Sequence, residues 1–138
     1  MIFLLDTNIL SEARKQRPHG GVLAWLAAYP NESFAIPAVA IFELQIGTER
    51  LRKQDPERAA NFDLWVAQIA AGTNVLPLDA ASAREAARML NKHSMELMAD
   101  AMIAAIAKIN GLTVATRNTR DFERFGVPLV NPFLHPKG

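Results

Sequence analysis

The sequence contains no cysteine. That absence removes disulfides, thiolate metal ligands and cysteine nucleophiles together, and it suits a reducing cytoplasm, the compartment expected for this chain. An excess of one charge is equally lacking: fifteen Lys and Arg stand against fourteen Asp and Glu, a formal net charge of +1. A chain so nearly balanced does not coat nucleic acid through its overall field, so any contact with a polyanion must be local. Long hydrophobic runs are missing, and the apolar stretch 2–5 ahead of Asp6 is too short for a signal-peptide core or a membrane span. There is no glycine-rich phosphate loop, internal repeat or low-complexity tract. His19, His93 and His135 stand singly and far apart, which gives neither metal-ligand spacing nor a triad and marks them as surface or loop residues.

What is present is a chain of 138 residues, half of them apolar, enough for one domain spanning 1–138 with a real core. Pro18-His19-Gly20-Gly21 and Gln54-Asp55-Pro56 break the chain without dividing it. Apolar runs at 2–5, 33–36, 74–78, 113–116 and 128–130 are strand-sized, and helical stretches fall at about 8–15, 22–29, 38–53, 56–71, 80–93 and 100–110. Such alternation implies parallel pairing through crossovers, hence a three-layer α/β/α sandwich around a central, mainly parallel sheet. Ligands bind such sheets outside the carboxyl ends of the strands, so the residues just past each strand carry the chemistry.

Three carboxylates stand out on that rule. Asp6 ends the first strand and opens Asp6-Thr7-Asn8, where it equally suits a helix cap. Glu43 lies in an apolar helix, four residues after Val39 and three before Ile46, on the stripe expected to be buried, whereas Thr48, Glu49, Arg52 and Lys53 gather toward the solvated end. A carboxylate facing the core without a partner is costly, so either a buried arginine satisfies it or it opens onto a cleft holding a cation. Asp100 opens a helix that is apolar on every side, at the positive end of its dipole; a simple cap is the alternative. The order of elements turns all three toward one cleft. Clustered carboxylates raise one another's pKa, so a set ionised at neutral pH implies a bound divalent cation, and all-oxygen ligation favours Mg²⁺ or Mn²⁺ over zinc.

Past the strand at 113–116 comes Arg117-Asn118-Thr119-Arg120-Asp121-Phe122. This is either a turn capped by Asn118 or Thr119, or a polar corner with Arg117 and Arg120 placed for phosphate. The clusters Arg14-Lys15-Gln16-Arg17 and Arg50-Leu51-Arg52-Lys53 are solvated helix ends, or else the cationic rim an acidic cleft needs to hold a polyanion. The apolar segments 62–66 and 89–102, the latter with Met89, Met95, Met98 and Met102, exceed what one small domain covers and point to a homodimer. An aspartyl-phosphate mechanism at Asp6 is disfavoured because its second acid, two residues on, is Asn8.

Leu5-Asp6-Thr7-Asn8, Phe42-Glu43-Leu44 with Gly47, Asp100-Ala101-Met102-Ile103-Ala104-Ala105, and Thr116-Arg117-Asn118 through Asp121-Phe122 followed by Val130-Asn131-Pro132 occur in this order over essentially the whole chain. In that order and spacing the sequence resembles a PIN domain of the VapC type, in the branch that includes FitB-like toxins. The resemblance implies a Mg²⁺-dependent endoribonuclease, the toxin of a type II toxin–antitoxin system. It further implies a homodimer held inactive by a cognate VapB-like antitoxin, with operator DNA reached only through that antitoxin. By the same likeness Asp6, Glu43 and Asp100 form the metal-binding acidic centre. Asn118 falls where some relatives carry a fourth acid, and Asp121 falls on an aspartate that many share. We expect Asp6 and Asp100 to ligate directly, Glu43 to ligate or assist proton removal, Asn118 to orient water or substrate, and Asp121 to support them. Relatives often carry hydroxyl residues just ahead of the glutamate, where this chain has Pro37 and Ala40. The alternative is a PIN-like module that binds antitoxin and nucleic acid without cleaving.

Overall fold

Strands buried on both faces pair best with one another in the middle of a layered domain, and the five apolar runs do so here. In the computed structural model, which describes residues 1–137, they are β1 (Phe3–Leu5), β2 (Phe34–Pro37), β3 (Val75–Leu76), β4 (Thr113–Ala115) and β5 (Leu129–Val130). They form one sheet in the order β3-β2-β1-β4-β5, every pair parallel, with Phe3 beside Phe34 and Leu4 beside Val114. Each expected strand is found, trimmed or shifted at its ends.

Helices fill the crossovers. α1 (Thr7–Arg14) and α2 (Gly20–Ala27) follow β1, α3 (Ala38–Arg52) follows β2 and folds back on α4 (Pro56–Ala70), α5 (Ala80–Leu90) and α6 (Met98–Asn110) lead to β4, and α7 (Thr119–Glu123) leads toward β5. Alternation along the strands sorts the core into two halves. Leu4, Ala35 and Val114 face one side, against Ala101, Ile103, Ala104 and Ile106 of α6 and Phe122 of α7. Phe3, Leu5, Phe34 and Ile36 face the other, against Ile9 of α1, Trp25 of α2, Leu44 of α3 and Val66 of α4. Three layers result, as the alternation of elements implied.

Local differences have identifiable causes. α6 starts at Met98 rather than Asp100, because a 3₁₀ turn, Met95–Leu97, runs straight into it. It stops at Gly111, whose φ of 66° supplies the left-handed C-cap. α5 ends at Leu90 instead of reaching 93, since Asn91 leaves the helical region at ψ 129° and Lys92 follows left-handed at φ 71°. On α3 the buried set is Val39, Ala40, Leu44 and Thr48, so the expectation that Ile46 is buried and Thr48 solvated is overturned: Ile46 is exposed, while Thr48 is buried with its hydroxyl donating to the Leu44 carbonyl at 2.9 Å. That bond lets the polar side chain turn inward at little cost. His19 is likewise more than a loop residue, as its Nδ1 caps α2 by accepting from the Gly21 N–H at 3.1 Å. No described helix is long and apolar enough to cross a membrane.

The topology fixes where a ligand can sit. From β1 the chain steps outward to β2 and β3, then returns to the opposite side of β1 for β4. This reversal splays the connections apart and opens a crevice at the carboxyl ends of β1 and β4. Asp6 leaves β1 there, its N–H donating to the Ala115 carbonyl at 2.9 Å, and Thr116 leaves β4 beside it.

Candidate active site

Asp6 is the N-cap of α1 and also the deepest acid of the crevice. Its Oδ1 accepts from the Thr7 N–H at 2.8 Å, while Oδ2 accepts from the Thr116 hydroxyl at 2.7 Å and the Asn8 amide at 3.1 Å. One side chain therefore caps the helix and also lines the crevice. Burial pushes its pKa up; the bonds from Thr116 and Thr7 pull it down, and the Glu43 charge adds to the rise.

Glu43 projects from the second turn of α3, at the border between the buried stripe and solvent. No arginine within salt-bridge distance satisfies it among the described residues. Instead the Thr7 hydroxyl donates to its Oε1 at 2.7 Å, so a hydroxyl reaches this glutamate from α1 although Pro37 and Ala40 offer none from its own segment.

Asp100 proves not to be a cap. Leu97 occupies the N-cap position of α6 and makes no side-chain capping bond, which places Asp100 within the first helical turn. Its carboxylate is pushed up to about 6, chiefly by burial, then by the charges of Asp6, Asp121 and Glu43, with Arg124 pulling the other way. Four carboxylates thus share one electrostatic neighbourhood, drawn from four separate elements.

Asp6, Glu43, Asp100 and Asn118 all line a single open cavity of about 420 Å³. Asn118 precedes α7 without capping it through its side chain; its backbone N–H donates to the Thr116 hydroxyl at 2.9 Å. Asp121 does not line the cavity. It sits half-buried in the first turn of α7 and reaches the site through its charge on Asp100. The two arginines separate as well: Arg117 lines the cavity, its guanidinium 4.7 Å from the centre of the Phe133 ring, whereas Arg120 is exposed outside it. The structure therefore does not bring the two together at the cavity, and only Arg117 lies where a ligand bound there could meet it.

Sequence reasoning missed the polar scaffold behind the acids. Thr116, fully buried, donates to Asp6 and accepts from Asn118, and Asn8 bridges Asp6 to the Arg117 N–H, which donates to its Oδ1 at 3.2 Å. The available signal was a threonine just past the end of β4, beside the arginine and asparagine already singled out. Phe133, from the 3₁₀ turn Pro132–Leu134, gave no such signal.

The donor set fits a hard divalent cation: oxygen ligands only, carrying concentrated negative charge in a partly desolvated cleft. As the side chains stand, no three acidic or imidazole groups among the described residues are drawn close enough to enclose a metal ion. Glu43 is held by the Thr7 hydroxyl.

Comparison with known proteins agrees with this architecture. The family model described as PIN domain matches residues 3–128. The protein named VapC ribonuclease Y4jK, from Sinorhizobium fredii, is 34% identical over 138 residues, covering 96% of this chain and 98% of its own. Toxin FitB from Neisseria gonorrhoeae is 33% identical over 138 residues, covering 96% of this chain and 99% of its own. Among solved structures, FitAB bound to IR36 DNA fragment superposes with a TM-score of 0.74 at 29% identity, covering 98% of each chain.

Proposed function

The chain belongs to the PIN domain family, with VapC and FitB proteins among its relatives, and we propose that it is the ribonuclease toxin of a toxin–antitoxin pair, hydrolysing RNA phosphodiester bonds with the help of Mg²⁺ or Mn²⁺. The observation that carries this reading is the convergence of Asp6, Glu43 and Asp100 on one cavity at the reversal point of a parallel sheet. Each of the three arrives from a different element, and a merely structural role needs no such meeting.

A divalent cation bound there supplies Lewis-acid charge, lowering the pKa of a water and offsetting charge on the scissile phosphate. Asp6 and Asp100 are the residues that would hold it. Asp6 is pre-set for this by Thr116, Asn8 and the Thr7 N–H, which fix its rotamer and favour its ionised form. Glu43 accepts the proton that leaves the attacking water. Arg117, braced on Phe133, donates to the phosphate oxygens, and Asn118 orients water or substrate at the rim. No covalent enzyme intermediate is required. The partner is a VapB-like antitoxin, which in turn supplies any contact with operator DNA, and the toxin itself is a homodimer. The solved structure of FitAB bound to a DNA fragment, alike over the full chain, supports the antitoxin and DNA part of this reading.

Cleavage of RNA by the metal-stripped protein, with Mg²⁺ or Mn²⁺ added back, tests the reading. Activity is expected on addition and lost with EDTA; full activity in EDTA, with metal content checked by elemental analysis, removes the cation from the mechanism. Asp6→Asn separates the nuclease from a non-cleaving binding module, since only the nuclease loses activity by it.

A further inference from the structure

Beside the acidic cavity, α1 and α4 enclose a second cleft of about 360 Å³, with Arg14, Lys15, Arg58, Asn61 and Phe62 in its walls. Ser11 and Lys15 line both spaces, so the two are adjacent. Asn8, Ser11, Arg14 and Lys15 recur at three- and four-residue steps and share one face of α1. From Asn8 at the acidic centre to Arg14 the helix rises about 9 Å.

The cleft gathers three cations, Arg14, Lys15 and Arg58, of which only Lys15 is ion-paired among the described residues. Lys15 is engaged by Glu12 at 3.0 Å, Arg52 by Glu49 and Asp63, and Arg88 by Glu85. Arg14 and Arg58 have no carboxylate within ion-pair distance among the described residues. Arg14 is instead braced by aromatic rings, its guanidinium 5.5 Å from the centre of Phe62 and 5.6 Å from that of Trp65. Such stacking orients a guanidinium while leaving its N–H fork unspent. Arg50 and Lys53, the other basic cluster, line a separate apolar pocket with Phe42 and Ile46 and do not reach the acidic centre.

Two uncompensated guanidiniums, the amide of Asn61 and a half-exposed aromatic ring form a receptor for a phosphodiester with a base beside it. A cavity lined by carboxylates repels the backbone it is to cut, so adjoining cationic charge is needed to hold the strand. We propose that the Arg14–Arg58 cleft is a phosphate subsite for single-stranded RNA, gripping the backbone to one side of the scissile bond. This rests on the nuclease reading above and names the direction in which the substrate leaves the acidic centre: along α1, past Ser11, toward α4.

The test is fluorescence anisotropy of a labelled single-stranded RNA oligonucleotide on the Asp100→Asn protein in Mg²⁺, across a salt series, beside cleavage assays on the parent. Adding Arg14→Ala and Arg58→Ala is expected to weaken binding at least tenfold at 0.1 M salt. It should also flatten the log Kd against log salt slope by about 1.4, the value for two lost phosphate contacts on a single strand. Lysine at both positions keeps the charge and should restore most of the slope. A slope unchanged by the double alanine variant, with the melting temperature preserved, overturns the subsite. If the double variant unfolds, the single variants, each worth half the change, decide in its place. A parent that cleaves RNA while the slope stays fixed loses the subsite alone, whereas a flattened slope on a parent that never cleaves keeps the subsite and loses the nuclease.

Discussion

Thr116 and Asp6, 110 residues apart in the chain, meet through a 2.7 Å hydrogen bond in which the threonine hydroxyl donates to the buried carboxylate. They stand at the carboxyl ends of adjacent parallel strands, so the register of β1 against β4 makes the contact. The same hydroxyl oxygen accepts from the Asn118 N–H and thereby ties the loop after β4 to the acidic centre.

Thr116→Val removes that donor at nearly constant volume. Because the bond favours ionised Asp6, its loss raises the Asp6 pKa further and weakens the hold on a cation. The Mg²⁺ concentration for half-maximal cleavage is expected to rise several-fold, with a loss of about 1–3 kcal/mol of stability in urea unfolding. Thr116→Ser should recover both. An unchanged Mg²⁺ midpoint in the valine variant would show that the hydroxyl serves folding only.

Asp100, held at about 6, makes stability and activity respond to pH in opposite directions. In metal-free protein near pH 3 the carboxyl is neutral in both folded and unfolded chains. As pH rises from the ordinary aspartate value of 3.8 toward about 6, the unfolded chain releases the proton first, so folding stability falls and the full penalty persists above that window. Asp100→Asn is therefore expected to melt higher than the parent in EDTA at pH 8, with the difference vanishing near pH 3, and to lose metal-dependent cleavage. The Mg²⁺ concentration for half-maximal cleavage by the parent should rise below about pH 6, where protons compete with the cation for Asp100. A variant that melts markedly lower than the parent at pH 8 would make Asp100 a structural residue.

Asn118 lines the cavity and Asp121 does not, so their substitutions should differ in kind. Asn118→Ala is expected to lower the cleavage rate about tenfold or more with little effect on the Mg²⁺ midpoint. Asp121→Ala removes a charge that raises the Asp100 pKa and should move the acid limb of the pH–rate profile to lower pH, with a smaller change in rate. If Asp121→Ala weakens Mg²⁺ binding as much as Asp100→Asn does, Asp121 contacts the metal directly.

Leu64 on α4 and Met95 ahead of α6 are each about two-thirds exposed, and Phe42 on α3 nearly as much. Covering such side chains is the physical reason to expect a homodimer. Light scattering at micromolar concentration should give twice the 15.2 kDa chain mass; a 15.2 kDa particle alone would show that these side chains stay in water.

Much of this was legible in the sequence, for reasons that do not depend on distant contacts. The apolar runs of the strands and the three- and four-residue spacing of the helices are local, and their alternation allowed only a parallel, layered sheet. Asp6 could be singled out because a strand's end and a helix's start coincide there, and Glu43 because a carboxylate interrupts an apolar helix. Periodicity could not say that α3 turns Thr48 inward and Ile46 outward, since the boundary of a buried stripe is set by the helices packed on either side. Nor could it tell a capping aspartate from one that only lines the cavity: Asp6 does both, while Asp100 lost the capping role to a 3₁₀ turn that ends three residues upstream. Only the tertiary structure decided that Arg117 lines the acidic cavity and Arg120 does not, that Asp121 stays outside that cavity, and that Arg14 is braced by α4 instead of paired. Those outcomes depend on which elements become neighbours, and a local sequence pattern carries no record of the partner that will lie across from it.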